Sequence, residues 1–222
     1  KFKKAQKKFE KINEEFPYSA FSSKSTIYNA YINYELNDFE SALTLLNDYL
    51  SMNPSGKFSD YAHYLIAMCY YVQISEPEKD SKFSKLAIKK FNYLKKKYPN
   101  SKYSKDAKLK IEFLKDYLAK KEFDIAMFYL KKNAPSPAIN RFSNILQKFQ
   151  GTSVIPETLY RIAESFSLIG LNNEAKKSLE LLKYNFPKNK WVKISNDLIQ
   201  KKVEGKKDET DNFFETLFNK IF

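Results

Sequence analysis

The sequence predicts an all-α protein built from repeated pairs of helices. Apolar residues recur at intervals of three and four along most of the chain, which is the spacing of one face of an α-helix. Strand-like alternating runs are few, and only 4 of the 222 residues are glycine. A frame of residues also returns along the chain, which indicates that the helices form repeats.

This frame is an alanine, a large apolar residue four places later, and a helix stop twelve places after the alanine. Its clearest copy is Ala87, Phe91 and Pro99, where proline ends the helix because it lacks an amide donor. The small alanine lets another helix approach, and the large residue fills the gap one turn on. The other copies are Ala5, Phe9 and Pro17; Ala42, Leu46 and Pro54; Ala138, Phe142 and Gln150, with Gly151 as the stop; and Ala175, Leu179 and Pro187.

The spacing of the copies predicts a tetratricopeptide-repeat solenoid. Their alanines lie roughly 37 to 51 residues apart, against about 34 for the tetratricopeptide unit, so the repeats carry insertions. Small and aromatic residues also precede several copies, as in the first helix of such a unit: Ala30 and Tyr34; Ala126 and Tyr129; and Ala163, Phe166 and Gly170. We therefore predict about five repeats, the first truncated, each packed on its neighbours.

The elements follow in order along a solenoid predicted for residues 1–200. Its repeats are placed at about 1–19, 20–56, 57–101, 102–152 and 153–190. The helices are placed at about 1–16, 21–36, 39–51, 58–73, 102–132, 155–169 and 172–185, with others leading up to Pro99 and away from Ala138. Ser19 or Ser22 is expected to cap the second helix, and Asn37-Asp38 to form the following turn.

The long helix at 102–132 is shared between two repeats. Its first half, with Ala107, Ile111, Leu114 and Leu118, is expected to pack on the third repeat, and its second half, with Ile125, Ala126 and Tyr129, on the fourth. It is interpreted as a strut between an N-terminal and a C-terminal group of repeats. A turn is predicted at 133–137, since this stretch contains Pro135 and Pro137.

The two ends of the chain differ from the repeats. The chain opens in mid-helix, which suggests an N-terminally trimmed protein, and no run of 18 apolar residues is present. Residues 201–222 are predicted to be a charged linker followed by an amphipathic helix. That helix either caps the last repeat or docks on a partner or a membrane surface.

The net charge of +13 comes almost wholly from lysines spread over every repeat. This favours a solvated surface over binding to nucleic acid, because no nucleic-acid reader motif accompanies the lysines. Attraction to anionic lipid headgroups is the other alternative. Arg141 and Arg161 are the only arginines, which suggests planar, multi-donor contacts with a partner, or else a bridge to a carboxylate of the chain.

Residues for catalysis are lacking. The single cysteine, Cys69, lies in the apolar run IAMCYY and is expected to be a buried free thiol. The single histidine, His63, is six residues away and does not face it on a helix. No phosphate-binding glycine loop, metal-ligand cluster or nucleophile elbow occurs. We predict a binding protein, not an enzyme, without cofactor or metal.

A more specific resemblance lies in the segments FEKINEEFPYS, YLIAMCYY, KKYPNSKYSKDAKLKIEFLKDYLAKKEFDIAMFYLKKN, AINRF and SLIGLNNEAKKSLELLKYNFP. They are similar to the BamD family, outer-membrane lipoproteins of the β-barrel assembly machinery. The resemblance covers about residues 1–192. Its most specific part is the series Asp106, Ala107, Leu114, Leu118, Ala119, Glu122, Ala126, Tyr129, Asn140 and Arg141.

The resemblance implies a scaffold on the periplasmic face of the outer membrane of a Gram-negative bacterium. It implies binding of the periplasmic domains of BamA near Asn140 and Arg141, with Arg161 as a weaker candidate, and company with other assembly-machinery lipoproteins. The family's lipid-carrying cysteine is absent from this chain, so a lipid anchor is expected only in the precursor.

The resemblance also implies an N-terminal groove for the C-terminal segments of unfolded outer-membrane proteins. Its aromatic lining is predicted at Phe16, Tyr18, Tyr31, Tyr34 and Tyr64, with lysines holding the terminal carboxylate. Two alternatives stay open. One is a periplasmic adaptor of the cell-envelope or division machinery, and the other is a basic solenoid that binds nucleic acid.

Overall fold

The computed structural model describes residues 2–17, 19–74 and 81–195, and every regular element in these ranges is helical. The helices are α1 (Phe2–Glu15), α2 (Ala20–Glu35), α3 (Phe39–Met52), α4 (Ser59–Tyr71), α5 (Lys82–Lys97), α6 (Lys102–Lys131), α7 (Pro135–Lys148), α8 (Ile155–Leu168) and α9 (Asn172–Asn185). The predicted all-α class is confirmed. The amphipathic tail helix predicted within 201–222 lies outside the described residues.

Local sequence explains the starts of α2 and α3. The Ser19 hydroxyl accepts a hydrogen bond from the backbone N–H of Ser22 at 3.1 Å, so the first of the two predicted caps is the right one. The Asp38 carboxylate caps α3 in the same way, at 3.2 Å from the backbone nitrogen of Ser41. Asn37 just before it has φ of 60°, a left-handed conformation that asparagine tolerates and that reverses the chain between α2 and α3.

The turn predicted at 133–137 is wrong in its second half. Helix α7 begins at Pro135, so both prolines lie in its first turn. Proline is tolerated there because the first amides of a helix have no intrahelical acceptor, and its fixed φ suits the helix. The reversal is made by Asn133, which has φ of 55°.

Four of the five copies of the repeated frame are buried in the core, and the first copy, at Ala5 and Phe9, is half-buried. Ala42, Leu46, Ala87, Phe91, Ala138 and Phe142 are all 0% exposed, and Ala175 and Leu179 are 2% and 1% exposed. Fully burying a leucine or phenylalanine side chain contributes about 1.5–3 kcal/mol, so these positions account for much of the stability. The frame therefore indicates tertiary packing and not only helix formation.

The chain divides into two compact units, one ending at Leu114 and one beginning at Lys115, and α6 continues through the division. In the first unit each of helices α1 to α4 packs on the next. Its buried clusters centre on Leu46 and Leu65 and on Phe91 and Leu114. In the second unit α8 packs on both α7 and α9 around Phe142 and Phe166. The limits of the individual repeats stay predictions.

Candidate functional site

Five tyrosines of the first unit lie on three neighbouring helices, and we call them the tyrosine face. Tyr31 and Tyr34 lie on α2, Tyr61 and Tyr64 on α4, and Tyr103 on α6. The ring centroids of Tyr31 and Tyr34 are 6.3 Å apart, and those of Tyr61 and Tyr64 lie 5.2 Å and 5.0 Å from that of Tyr103. The face therefore crosses from helix to helix.

Helical spacing explains this arrangement. Each pair on α2 and α4 is three residues apart, so its two rings project from the same side of the helix. Helices α2 and α4 contact each other, which places the two pairs side by side. Burial, with the neighbouring Tyr103, Tyr31, Tyr34 and Glu35, raises the pKa of Tyr61. Its phenol thus stays a neutral hydrogen-bond donor.

An ion pair holds one ring of the face in place. The Tyr64 hydroxyl donates a hydrogen bond to Asp106 Oδ2 at 2.7 Å, and Lys110 Nζ lies 2.8 Å from the same oxygen. Burial disfavours the Asp106 carboxylate, but the hydrogen bonds from Lys110 and Tyr64 outweigh it and lower the pKa of Asp106. Burial and the hydrogen bond to Asp106 raise the pKa of Tyr64. The ring of Tyr64 is thereby held in one orientation.

The predicted groove residues are only partly brought together. Tyr31, Tyr34 and Tyr64 all belong to the tyrosine face. Phe16, after the end of α1, is 59% exposed, and within the described residues its ring contacts none of theirs. Tyr18 lies outside the described residues. For the predicted lysine contact with a carboxylate, Lys102 is placed at the rim, with Nζ 5.0 Å from the ring centroid of Tyr103.

Sequence reasoning missed three residues of this site. Tyr61 lies three residues before Tyr64 and so on the same helix face, and this spacing is the signal by which the sequence could have identified it. Tyr103 and Asp106 lie on a different helix from Tyr64. Asp106 is 42 residues from Tyr64, and no sequence pattern joins them.

Arg141 lies in the second unit and pairs with a carboxylate of α6. Its Nη1 atom is 2.9 Å from Glu122 Oε2, and its side chain is 43% exposed. The intramolecular bridge left open by the sequence is therefore present, and much of the guanidinium still faces solvent. Asn140 beside it is exposed.

Arg161 is more enclosed and makes more internal contacts. It lies between Glu157 and Glu164, at 3.5 Å and 2.9 Å, with a side chain 24% exposed. Its guanidinium carbon also lies 5.3 Å and 5.1 Å from the ring centroids of Tyr160 and Trp191, which stack 5.0 Å apart. We call these five residues the Arg161 cluster. It joins α8 to the helical residues at 190–195.

Other chemistry-bearing groups are packed away. Cys69 is a free thiol with 0% exposure, and burial raises its pKa to about 12. The ring centroid of His63 lies 4.9 Å and 5.8 Å from those of Tyr93 and Tyr98. Burial, with Lys97 and Lys90 nearby, lowers the pKa of His63 to about 4.

The described ranges contain neither a candidate membrane span nor a candidate metal site. None of the helices there combines the length and the apolar character needed to cross a bilayer. In the same ranges, no three His, Cys, Asp or Glu side chains are grouped so that they could hold a metal ion.

Comparison with known proteins gives a consistent family. Residues 1–182 match the YfiO family model, described as outer membrane lipoprotein. The outer membrane protein assembly factor BamD of Rickettsia prowazekii is 37% identical over 90% of this chain and 80% of its own length. The BamD of Caulobacter vibrioides is 36% identical, with 82% of this chain and 60% of the relative covered.

Among solved structures, a thermophilic TPR protein of Thermus thermophilus is similar over 90% of both chains. Its sequence identity is 14% and its TM-score is 0.40.

Proposed function

Because the chain belongs to the YfiO family of outer-membrane lipoproteins, whose curated relatives are named outer membrane protein assembly factor BamD, we propose that it is a non-enzymatic scaffold of the β-barrel assembly machinery. In this role it holds the periplasmic domains of BamA and receives segments of unfolded outer-membrane proteins. It works at the periplasmic face of the outer membrane, with a lipid anchor in the precursor and with other lipoproteins of the machinery as neighbours.

The tyrosine face is the observation that supports binding of unfolded outer-membrane proteins. Strands of outer-membrane barrels alternate apolar and polar residues and are bounded by aromatic residues. Rings on three helices offer stacking partners for such a segment, and the neutral phenol of Tyr61 offers a hydrogen-bond donor to its backbone. Lys102 at the rim supplies a cation for a terminal carboxylate. Phe16 and Tyr18 are proposed to extend the same groove.

Arg141 supports the proposed binding of the BamA periplasmic domains. A guanidinium has five N–H donors in a planar fork, and the described bond to Glu122 uses one nitrogen. With its side chain 43% exposed, Arg141 retains donors for an acidic residue of BamA. Asn140 lies next to it on α7 with an exposed amide. Arg161 is proposed as the lesser contact, since its cluster encloses it.

A pull-down with the periplasmic domains of BamA tests this proposal. The unaltered chain is expected to retain them, and Arg141→Glu to lose most binding, because it reverses the charge and repels Glu122. Lys148→Glu, an exposed residue near the end of the same helix, is the matched charge reversal and is expected to bind normally.

The outcomes are distinguishable. If the unaltered chain does not retain the BamA domains, the scaffold function is wrong. If the unaltered chain binds and Arg141→Glu binds equally well, the function stands and the assignment of Arg141 fails. Arg141→Gln separates the two effects of the reversal, since it removes the cation without adding a second carboxylate beside Glu122.

A further inference from the structure

A polar cleft lies on the side of α2 away from the tyrosine face. It is formed by α1, α2 and the start of α3, has a volume of about 620 Å³, and carries four carboxylates, those of Glu10, Glu14, Asp38 and Glu40. We call it the acidic cleft. Its floor is made by Asn29 and Asn33 of α2. Residues two apart on a helix are about 160° apart around its axis, so Asn29 and Tyr31 point in nearly opposite directions.

A row of polar side chains joins α1 to α2 beneath this cleft. Asn13 Nδ2 donates to Thr26 Oγ1 at 3.2 Å, and Gln6 Nε2 donates to Asn33 Oδ1 at 3.1 Å. Glu10 lies between Gln6 and Asn13 along α1, and Asn29 lies between Thr26 and Asn33 along α2. The middle of the row therefore places a carboxylate opposite an amide.

The middle position lacks a donor. Asn29 is 4% exposed, and its Oδ1 atom is buried with no hydrogen-bond partner among the described residues. A buried acceptor without a donor is costly, and native structures rarely retain one. The facing Glu10 is also an acceptor when ionised and cannot supply the missing proton. Among the described residues nothing supplies this proton, so the site fits a donor that a ligand brings.

The charge of the cleft specifies what kind of donor this is. The chain has a net charge of +13, yet none of the residues that line the cleft is a lysine or arginine. Within the described residues none of the four carboxylates forms an ion pair with a basic side chain. The site thus combines unpaired negative charge with an unpaired buried acceptor, which suits a cation that carries N–H groups.

We propose that the acidic cleft binds a lysine or arginine side chain in an extended segment of a protein partner. Its N–H groups donate to Asn29 Oδ1 and Glu10, and Glu14 and Glu40 attract the basic residues beside it. Glu10 and Glu14 are one turn apart on α1, about 6 Å along the axis, so the carboxylates extend beyond one ammonium group. This inference is independent of the proposed function, because the tyrosine face and Arg141 take no part in it.

Fluorescence anisotropy with a labelled hexa-arginine peptide and the full chain tests the proposal. A polycation is repelled by the chain as a whole, so binding reports a local acidic site. Glu10→Gln combined with Glu14→Gln and Glu40→Gln is expected to weaken binding about tenfold. The matched control removes three exposed carboxylates elsewhere, at Asp48, Asp124 and Glu180, by change to Asn, Asn and Gln, and is expected to bind within about twofold of the unaltered chain.

A second variant distinguishes a binding role for Asn29 from a structural one. Asn29→Leu keeps the net charge and removes the unpaired acceptor. It is expected to bind the peptide about fivefold more weakly while its unfolding temperature stays the same or rises. Unchanged affinity in this variant overturns the proposal, as does failure of the unaltered chain to bind hexa-arginine.

Two further results also count against it. Equal losses in the triple variant and in its control would show diffuse attraction and no site. Full displacement of the peptide by an equal concentration of spermine would identify a polyamine site and not a protein contact. Retained binding against spermine, with the losses confined to the cleft variants, supports a protein partner.

Discussion

The tyrosine face and the Arg161 cluster both combine aromatic rings with charged groups, but in opposite ways. In the tyrosine face the ion pair of Asp106 and Lys110 lies at the edge and holds one phenol, while Tyr31 is 37% exposed. In the Arg161 cluster the cation lies against two rings and between two carboxylates, and Tyr160 is 8% exposed. The first arrangement leaves ring surface free, and the second uses it for internal packing.

This difference teaches how to separate a binding surface from a structural joint when the residue types are alike. Exposed or half-buried rings that are held on one side can still stack on a ligand. Their outer surfaces stay hydrated in the free protein and are buried only when the ligand binds. A guanidinium with rings and carboxylates around it has already made those contacts. Changes to the Arg161 cluster should therefore act mainly on stability, and changes to the tyrosine face mainly on binding.

The largest expected effect is in the Arg161 cluster. Trp191→Ala removes the stacking with Tyr160 and Arg161, and should lower the free energy of unfolding by about 2–3 kcal/mol. Urea unfolding followed by circular dichroism measures it, since the variant lacks the single tryptophan. The control is Tyr184→Ala, whose ring is 85% exposed and whose loss should cost within about 0.5 kcal/mol. Equal losses in the two variants would mean that the cluster is not a joint.

The second prediction concerns acid sensitivity of the first unit. The pKa of His63 is about 4 in the folded chain against an ordinary value of 6.5, so the unfolded chain binds the extra proton first. Stability is then fully present above pH 6.5 and falls as the pH drops from 6.5 to about 4. The lowered pKa of Asp106 adds a further loss below its ordinary value of 3.8.

His63→Phe separates the two contributions. Phenylalanine keeps a ring against Tyr93 and Tyr98 and does not titrate, so the variant should lose little stability between pH 6.5 and pH 4. The unaltered chain should lose on the order of 1 kcal/mol there, once solvent screening of a half-buried group is allowed for. Urea unfolding at three pH values measures this. An unchanged pH dependence in His63→Phe would assign the loss to other groups.

The fold class could be predicted from the sequence because the repeated frame marks the residues by which each helix packs on its neighbours. The pairs Ala87 and Phe91, and Ala138 and Phe142, form one helix face that is buried in the core, whereas Ala5 and Phe9 of the first copy are half-buried. The one clear error is the start of α7 at Pro135, because proline ends a helix when it follows one. The same residue also begins helices, and the sequence alone did not decide between the two roles.

The candidate site was only half predictable, for a different reason. Tyr31, Tyr34 and Tyr64 could be predicted because the family resemblance implies an aromatic groove in the N-terminal helices that carry them. The partnership of Tyr64 with Asp106, and that of Arg161 with Trp191, depend on the register between helices far apart in sequence. That register is set by core packing, and it cannot be deduced from the spacing of residues within one helix. The pairing of Arg141 with Glu122 is of the same kind, and the sequence is compatible with both a partner contact and an internal bridge.

The smallest change tests whether the tyrosine face binds through its rings or through its ordered geometry. Tyr64→Phe keeps the ring and removes the 2.7 Å hydrogen bond to Asp106, so it should cost about 1 kcal/mol of stability. Because Lys110 still pairs with Asp106, the carboxylate is not left without a partner. A labelled peptide with alternating apolar residues and an aromatic C-terminus should bind this variant about threefold more weakly, since the ring persists but is less fixed. Tyr61→Ala, which removes a ring, should bind the peptide about tenfold more weakly than the unaltered chain. If both variants bind as the unaltered chain does while Trp191→Ala abolishes binding, the assignments of site and joint are reversed.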